Sequence, residues 1–427
     1  MNKFCEECGK PVTAQMQFCE HCGARLAQGD GPPPADAPAA VSQAGGSASA
    51  TDRLKARQPS AAAGSRFAKE KSGKVDAELE PFAYADGNLY PSYIIATAKV
   101  EKDLKVITTP GTALGDRAGW LGLHVPCNSY RTQVKVSVEE NDFICASGPE
   151  EFELEGAGER FLILPDISWK YEELLKVDQP RPLDVRFQVE YDKFHSFKGE
   201  ENLTVKQTIN LRSINDCVFA FENPDGDWVS CNDLFSAYVN ESHPWIDKLL
   251  QQALKAGRVE RWTGYLEHDD DVVLAQVQAV WETLQEKGTK YSSVTTSSGA
   301  DQGVYSQHVR FLDQAVEHSQ ANCADGSVLF ASILRKIGID PYLILVPGHM
   351  FLGFGVNEDT EVPSHWLETT LIGENVEDDF DYALEVGDQQ YWRHEEELEA
   401  QSDPMFQIVS IKEAREKGFM PIAFIPG

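Results

Sequence analysis

Gln320-Ala321-Asn322-Cys323-Ala324-Asp325-Gly326-Ser327-Val328-Leu329-Phe330 is the stretch that decides how this 427-residue chain folds. A polar turn gives way to an apolar run, and a thiol sits at the changeover. Val328, Leu329, Phe330, Ile333, Leu334 and Ile337 fall on one face at helical spacing, and Gly338 ends the run. Cys323 therefore stands at or just before the first turn of a helix. The positive end of the helix dipole favours a thiolate there. A cysteine buried as a small hydrophobe would sit mid-helix, on the apolar face. Asp325 reads as a first-turn partner of the same dipole.

Working outward, Ile339 to Val346 reads as a strand leaving that helix. Pro347-Gly348 breaks it and His349 follows. Met350 to Val356 resumes the extended pattern. After a polar, acidic turn comes Trp366-Leu367-Glu368-Thr369-Thr370. Antiparallel neighbours would bring His349 and Glu368 together across strands. A carboxylate so placed holds one imidazole nitrogen while the other faces the thiol, which is how a Cys-His-acid nucleophile is built. His308, His318 and His365 lie near the set in sequence and read as surface or internally satisfied histidines.

The segment resembles the transglutaminase-like, papain-related superfamily of cysteine hydrolases. The resemblance rests on Cys323, Leu329-Phe330, Leu334-Arg335, Gly338-Ile339, Pro341, His349 and Trp366 through Glu368. It covers roughly residues 300 to 373. It implies acyl chemistry: Cys323 attacks a peptide or carboxamide carbonyl, His349 takes and returns the proton, and Glu368 orients the imidazole. The backbone N–H of Cys323 is one expected oxyanion donor, with Gln307 or Gln320 as the other. Two departures stand out. Ala321-Asn322 replaces the family's Gly-x before the nucleophile, and the acid is Glu rather than Asp.

Near the N-terminus, Cys5-Glu6-Glu7-Cys8-Gly9 and Cys19-Glu20-His21-Cys22-Gly23 form two CxxC pairs separated by ten residues. Four thiolates at this spacing suit tetrahedral Zn2+. So short a segment has no core of its own, so a metal would supply most of its stability. It resembles the small bacterial zinc-ribbon modules. His21 reads as a bystander. Residues 28 to 75 read as a disordered linker. Gly29-Asp30-Gly31-Pro32-Pro33-Pro34 and the Ala/Ser/Gly-rich run cannot bury an apolar face. Arg53, Lys55, Arg57, Arg66, Lys69, Lys71 and Lys74 make its second half basic.

Residues 76 to 234 show short alternating runs separated by turns at Thr109-Pro110-Gly111, Ser147-Gly148-Pro149 and Gln179-Pro180. Tyr93 to Val100, Gln133 to Val138, Leu183 to Val189 and Leu203 to Ile209 each read as a strand. The expectation is a β-sandwich. Cys127, Cys145, Cys217 and Cys231 have no metal-like spacing and read as buried or silent. From 235 the pattern turns helical, with apolar residues at helical spacing before Gly257 and again from Val272 to Leu284 before Gly288. Residues 235 to 427 are assigned to the transglutaminase-like domain. Its acidic tail is expected to return a strand and a short helix to the core. The fold class is α+β multidomain: zinc ribbon, β-sandwich and transglutaminase-like domain.

A formal net charge of −30 disfavours nucleic acid as a partner. No export signal precedes the first cysteines, and no apolar run is long enough to span a bilayer. A cytoplasmic location is expected, where thiols stay reduced. The functional expectation is a peptidase or amidase acting on a protein or peptide substrate. Hydrolysis is favoured over transamidation because it needs no site for a second substrate. The alternative is a non-catalytic interaction module that retains the fold, with the zinc ribbon docking a protein partner.

Overall fold

The computed structural model describes residues 79–105, 113–127, 131–192, 201–223, 226–291, 303–318, 320–358, 362–373 and 379–422, with the strands Lys3–Phe4 and Pro11–Val12. The chain divides into two units, Met1–Glu70 and Lys71–Gly427. In the first, Lys3 pairs with Val12 and Phe4 with Pro11, antiparallel. That pairing brackets the first CxxC in sequence. Cys5, Cys8, Cys19 and Cys22, and the linker expected over 28 to 75, lie outside the described residues.

The second unit is mixed α/β with several sheets and helices. One sheet has the order Asn88–Leu89, Glu201–Leu211, Arg181–Asp192, Arg131–Val138, Glu150–Glu155. Alternation with period two explains it: Val134, Val136, Val185, Phe187, Val205 and Ile209 are buried while their neighbours face outward. Phe187 sits in register between Val138 and Val205. A four-stranded sheet has the order Glu80–Ala83, Leu121–Pro126, Arg160–Leu164, Ala113–Gly115. Both sheets contribute side chains to one core.

The run from Tyr93 to Val100 is not a strand. It contains the helix Pro91–Ala96, with proline in its first turn. All six helical residues are buried. A helix covered on every side has no polar face, so its sequence lacks the 3.6-residue period and mimics a core strand.

A third sheet orders Trp228–Ser230, Asp216–Glu222 and Val304–His308. Asp216 pairs with His308, so the pairing joins residues on either side of position 234. Around Phe221 the rings of Trp120 and Tyr84 lie 5.2 and 5.6 Å away, centroid to centroid. The helices Pro244–Lys255 and Asp270–Glu286 follow, capped by the His243 and Asp269 side chains.

The fourth sheet carries the site. Its order is His365–Leu367, His349–Phe354, Pro341–Val346, Gln407–Ser410, all antiparallel. One face, with Leu343, Leu345, Met350, Leu352 and Leu367, joins the large core shared with the helix Cys323–Lys336. The other, with Tyr342, Ile344, Val346, Phe351 and Trp366, packs with Tyr391 and Leu398 in a second cluster. Burial on both faces is why Pro341–Val346 reads as one continuous apolar run. Ile411–Glu416 is the short terminal helix expected after the last strand. No described helix is long and apolar enough to cross a membrane.

Candidate active site

Cys323 is the first residue of the helix Cys323–Lys336, and Asn322 is its N-cap. The start of this helix is held on several sides. Asn322 Oδ1 accepts the Asp325 N–H at 2.8 Å, and Asp325 Oδ2 accepts the Asn322 N–H at 3.1 Å. This reciprocal capping box satisfies two backbone donors that a helix terminus would leave bare. Asp325 also accepts the Arg310 backbone N–H and an Arg310 guanidinium N–H, each at 2.8 Å. Its side chain is fully buried. The role is therefore larger than a dipole partner: Asp325 ties the segment after the strand Val304–His308 to the turn that carries the thiol.

His349 opens the strand His349–Phe354, directly after the turn that reverses the chain from Val346. Glu368 follows the strand His365–Leu367. His349 Nε2 lies 2.6 Å from Glu368 Oε2. The imidazole also makes a side-chain hydrogen bond with Cys323. Nε2 is taken by the carboxylate, which leaves Nδ1 as the nitrogen able to meet the thiol. Cys323 is partly exposed, about a quarter of the His349 side chain is open (24%), and Glu368 is buried. The nucleophile and the histidine thus keep some exposure while the orienting acid does not.

Glu368 has more partners than its histidine. Oε1 accepts the Thr370 N–H at 2.9 Å and the Thr370 hydroxyl. Oε2 also accepts the side-chain amide of Gln390, from the helix Asp379–Arg393. That helix approaches the strand His365–Leu367 without a spacer. A Cβ on Gly387 would lie 2.4 Å from the Trp366 carbonyl oxygen, so only glycine allows the contact. Trp281 Nε1 donates to Asp379 at the start of the helix, 3.1 Å. At the thiol helix, a Cβ on Gly326 would come within 2.9 Å of Thr369 Oγ1. The bare glycine lets the Glu368 turn close against the first turn of the nucleophile helix.

Burial alone would lower the His349 pKa. It is outweighed by the Glu368 charge, by hydrogen bonds with Cys323 and Glu368, and by the charge on Cys323, which together raise it to about 10. Burial raises the Glu368 pKa, but the His349 charge and the hydrogen bonds from His349 and Thr370 bring it down to about 2. The two groups stand as an imidazolium–carboxylate pair through the neutral range.

Cys323, His349 and Glu368 are brought together. Gln307 Nε2 donates to the His308 carbonyl at 3.0 Å. Gln320 lies in the two-residue strand Gln320–Ala321, and its side chain is outside the described residues. As the first helical residue, Cys323 has a backbone N–H without an intrahelical acceptor, which suits an oxyanion donor. Cys127, Cys217, Cys145 and Cys231 are not joined in disulfides, and the first two are buried. Among the described residues no group of three or more His, Cys, Asp or Glu could hold a metal.

Sequence reasoning does not reach Arg310, Thr370 or Gln390. Asn322-x-x-Asp325 is a capping-box pattern, but nothing in it points to Arg310. Phe380, Ala383, Gly387 and Tyr391 are buried at helical spacing, and that period marks the helix bearing Gln390. No family model, no curated protein and no solved structure matches the chain.

Proposed function

We propose that the chain is a thiol-dependent acyl-transfer enzyme of transglutaminase-like, papain-related fold, acting as a peptidase or amidase. The observation that carries this is the hydrogen-bonded line Cys323–His349–Glu368, with the sulfur at a helix start and the acid buried behind the histidine. Cys323 Sγ bonds to the substrate carbonyl carbon, its proton already held by the His349 imidazolium. The carbonyl π pair moves to oxygen, beside the Cys323 N–H. On collapse the C–N bond breaks, and the proton on His349 goes to the leaving amine. Water then attacks the thioester, giving its proton to His349. The C–S bond breaks with its pair going to sulfur, and His349 keeps that proton, which restores the starting pair. An amine in place of water would make the same sequence a transamidation.

The experiment is to quench a peptide and carboxamide substrate panel in acid and weigh the Cys323 peptide. An acyl adduct that hydroxylamine removes, absent in Cys323→Ser, is expected. If no substrate leaves an adduct and none turns over, the enzyme reading fails and a non-catalytic peptide-binding module takes its place.

For the first unit, we propose that Cys5, Cys8, Cys19 and Cys22 hold a structural Zn2+ in a ribbon. Four soft thiolates in two CxxC pairs are a fitting donor set, and the Lys3–Phe4 and Pro11–Val12 pairing flanks the first pair as a ribbon hairpin would. Purified protein should carry about one zinc per chain by atomic emission. A Cys5→Ser, Cys8→Ser double variant should carry none. Equal zinc in both would refute the assignment.

A further inference from the structure

The carboxylate of Glu368 serves three side chains with two oxygens. Oε1 is occupied by Thr370. Oε2 is shared between His349 Nε2 and the Gln390 amide. Apart from Thr370, two residues along the chain, and His349, Gln390 is the described side chain that hydrogen-bonds to the acid. It is brought there by a helix whose close approach depends on Gly387. An amide is a neutral donor, so it stabilises an ionised carboxylate without competing for its proton.

We propose that Gln390 is a positioning residue, donating to Glu368 Oε2 so that the carboxylate stays ionised and aimed at His349 Nε2. The proposal rests on the acyl-transfer reading of the site. It also accounts for glutamate as the acid. The longer side chain reaches a point where one oxygen can meet both the histidine and the neighbouring helix.

The charged and titratable groups around Glu368 are few. His349 faces it from the adjoining strand, and Cys323 lies beyond the imidazole at the helix start. On the docked helix, Asp388 faces His365 and accepts the Trp366 backbone N–H. Asp325 is committed to Arg310.

The test uses the full chain and two variants. Gln390→Glu keeps the shape but loses the donor once its carboxyl ionises. Two facing carboxylates share one proton, and one of them titrates far above its ordinary range. The introduced carboxyl can donate to Glu368 while it is protonated. The rate of Cys323 alkylation by iodoacetamide, read by mass spectrometry and divided by the wild-type rate, should lie near unity at low pH. It should fall about tenfold as pH rises, the size of one hydrogen bond to a charged group. Gln390→Leu should be about tenfold slower at every pH, with no recovery. A residue that only fills space would leave the Gln390→Leu ratio near unity and the Gln390→Glu ratio independent of pH. The second readout is the titration of the His349 ring nitrogens by NMR, which does not depend on turnover. Unchanged titration, with both ratios near unity at every pH, overturns the proposal. A variant-sensitive titration in a protein that never acylates supports Gln390 as the positioning residue and sinks the acyl-transfer reading alone.

Discussion

Replacing His349 by alanine should slow iodoacetamide alkylation of Cys323 at neutral pH by about 10- to 30-fold, the ratio between a fully ionised thiol and an ordinary one. The reason is geometric. The imidazole interacts with Cys323, and the Nε2 contact with Glu368 keeps the ring from turning away. Glu368→Gln should lose less, because the ring remains but its partner can no longer favour the imidazolium. Reactivity equal to wild type in His349→Ala would leave the three residues without a joint role.

The same pair sets a pH signature in stability. His349 has its pKa raised from 6.5 to about 10, so its contribution is complete below 6.5 and is lost as pH rises through about 10. Glu368 is depressed from 4.5 to about 2, so its contribution is complete above 4.5 and is lost as pH falls through about 2. Urea midpoints of wild type and of the His349→Ala, Glu368→Ala double variant should therefore differ most between about pH 4.5 and 6.5, and converge toward both extremes. A constant difference across pH would show that the two groups do not titrate as a pair.

What can be read in the sequence follows from periodicity. The Cys323 helix has one apolar face, and the strands from Leu183 and Leu203 alternate, so both show their period without tertiary information. The His349–Glu368 contact is legible because a short turn and a polar loop leave antiparallel pairing as the simplest connection. The helix Pro91–Ala96 is illegible because burial on every side erases its polar face. The supports of the site are hidden for another reason. Arg310 and Gln390 act through single long side chains reaching across the fold, and no local pattern encodes where such a side chain ends. Glycines are similar: Gly387 and Gly326 matter for what approaches them, which only the packed structure reveals.

The largest loss of stability should come from Asp325→Ala. Asp325 has no side-chain exposure, yet it is ionically paired with Arg310, itself only 16% exposed, and accepts two backbone N–H groups. Removing the carboxylate strands a nearly buried guanidinium and two buried donors at once. Breaking one partner out of a buried pair costs about 3–5 kcal/mol. Arg310→Ala should fall in the same range, since it leaves the Asp325 charge unpaired. The double variant should be less destabilised than the sum, because the second change removes the charge that the first left stranded. Asp325→Asn separates the contributions. It keeps an acceptor for the Arg310 or Asn322 N–H but loses the charge, so it should cost less than alanine. If folding holds, Asp325→Asn should also slow Cys323 alkylation, because the capping box fixes where the first turn begins and hence where Sγ faces His349. Urea midpoints that simply add across Asp325→Ala and Arg310→Ala would mean that the ion pair is not what holds the nucleophile turn in place.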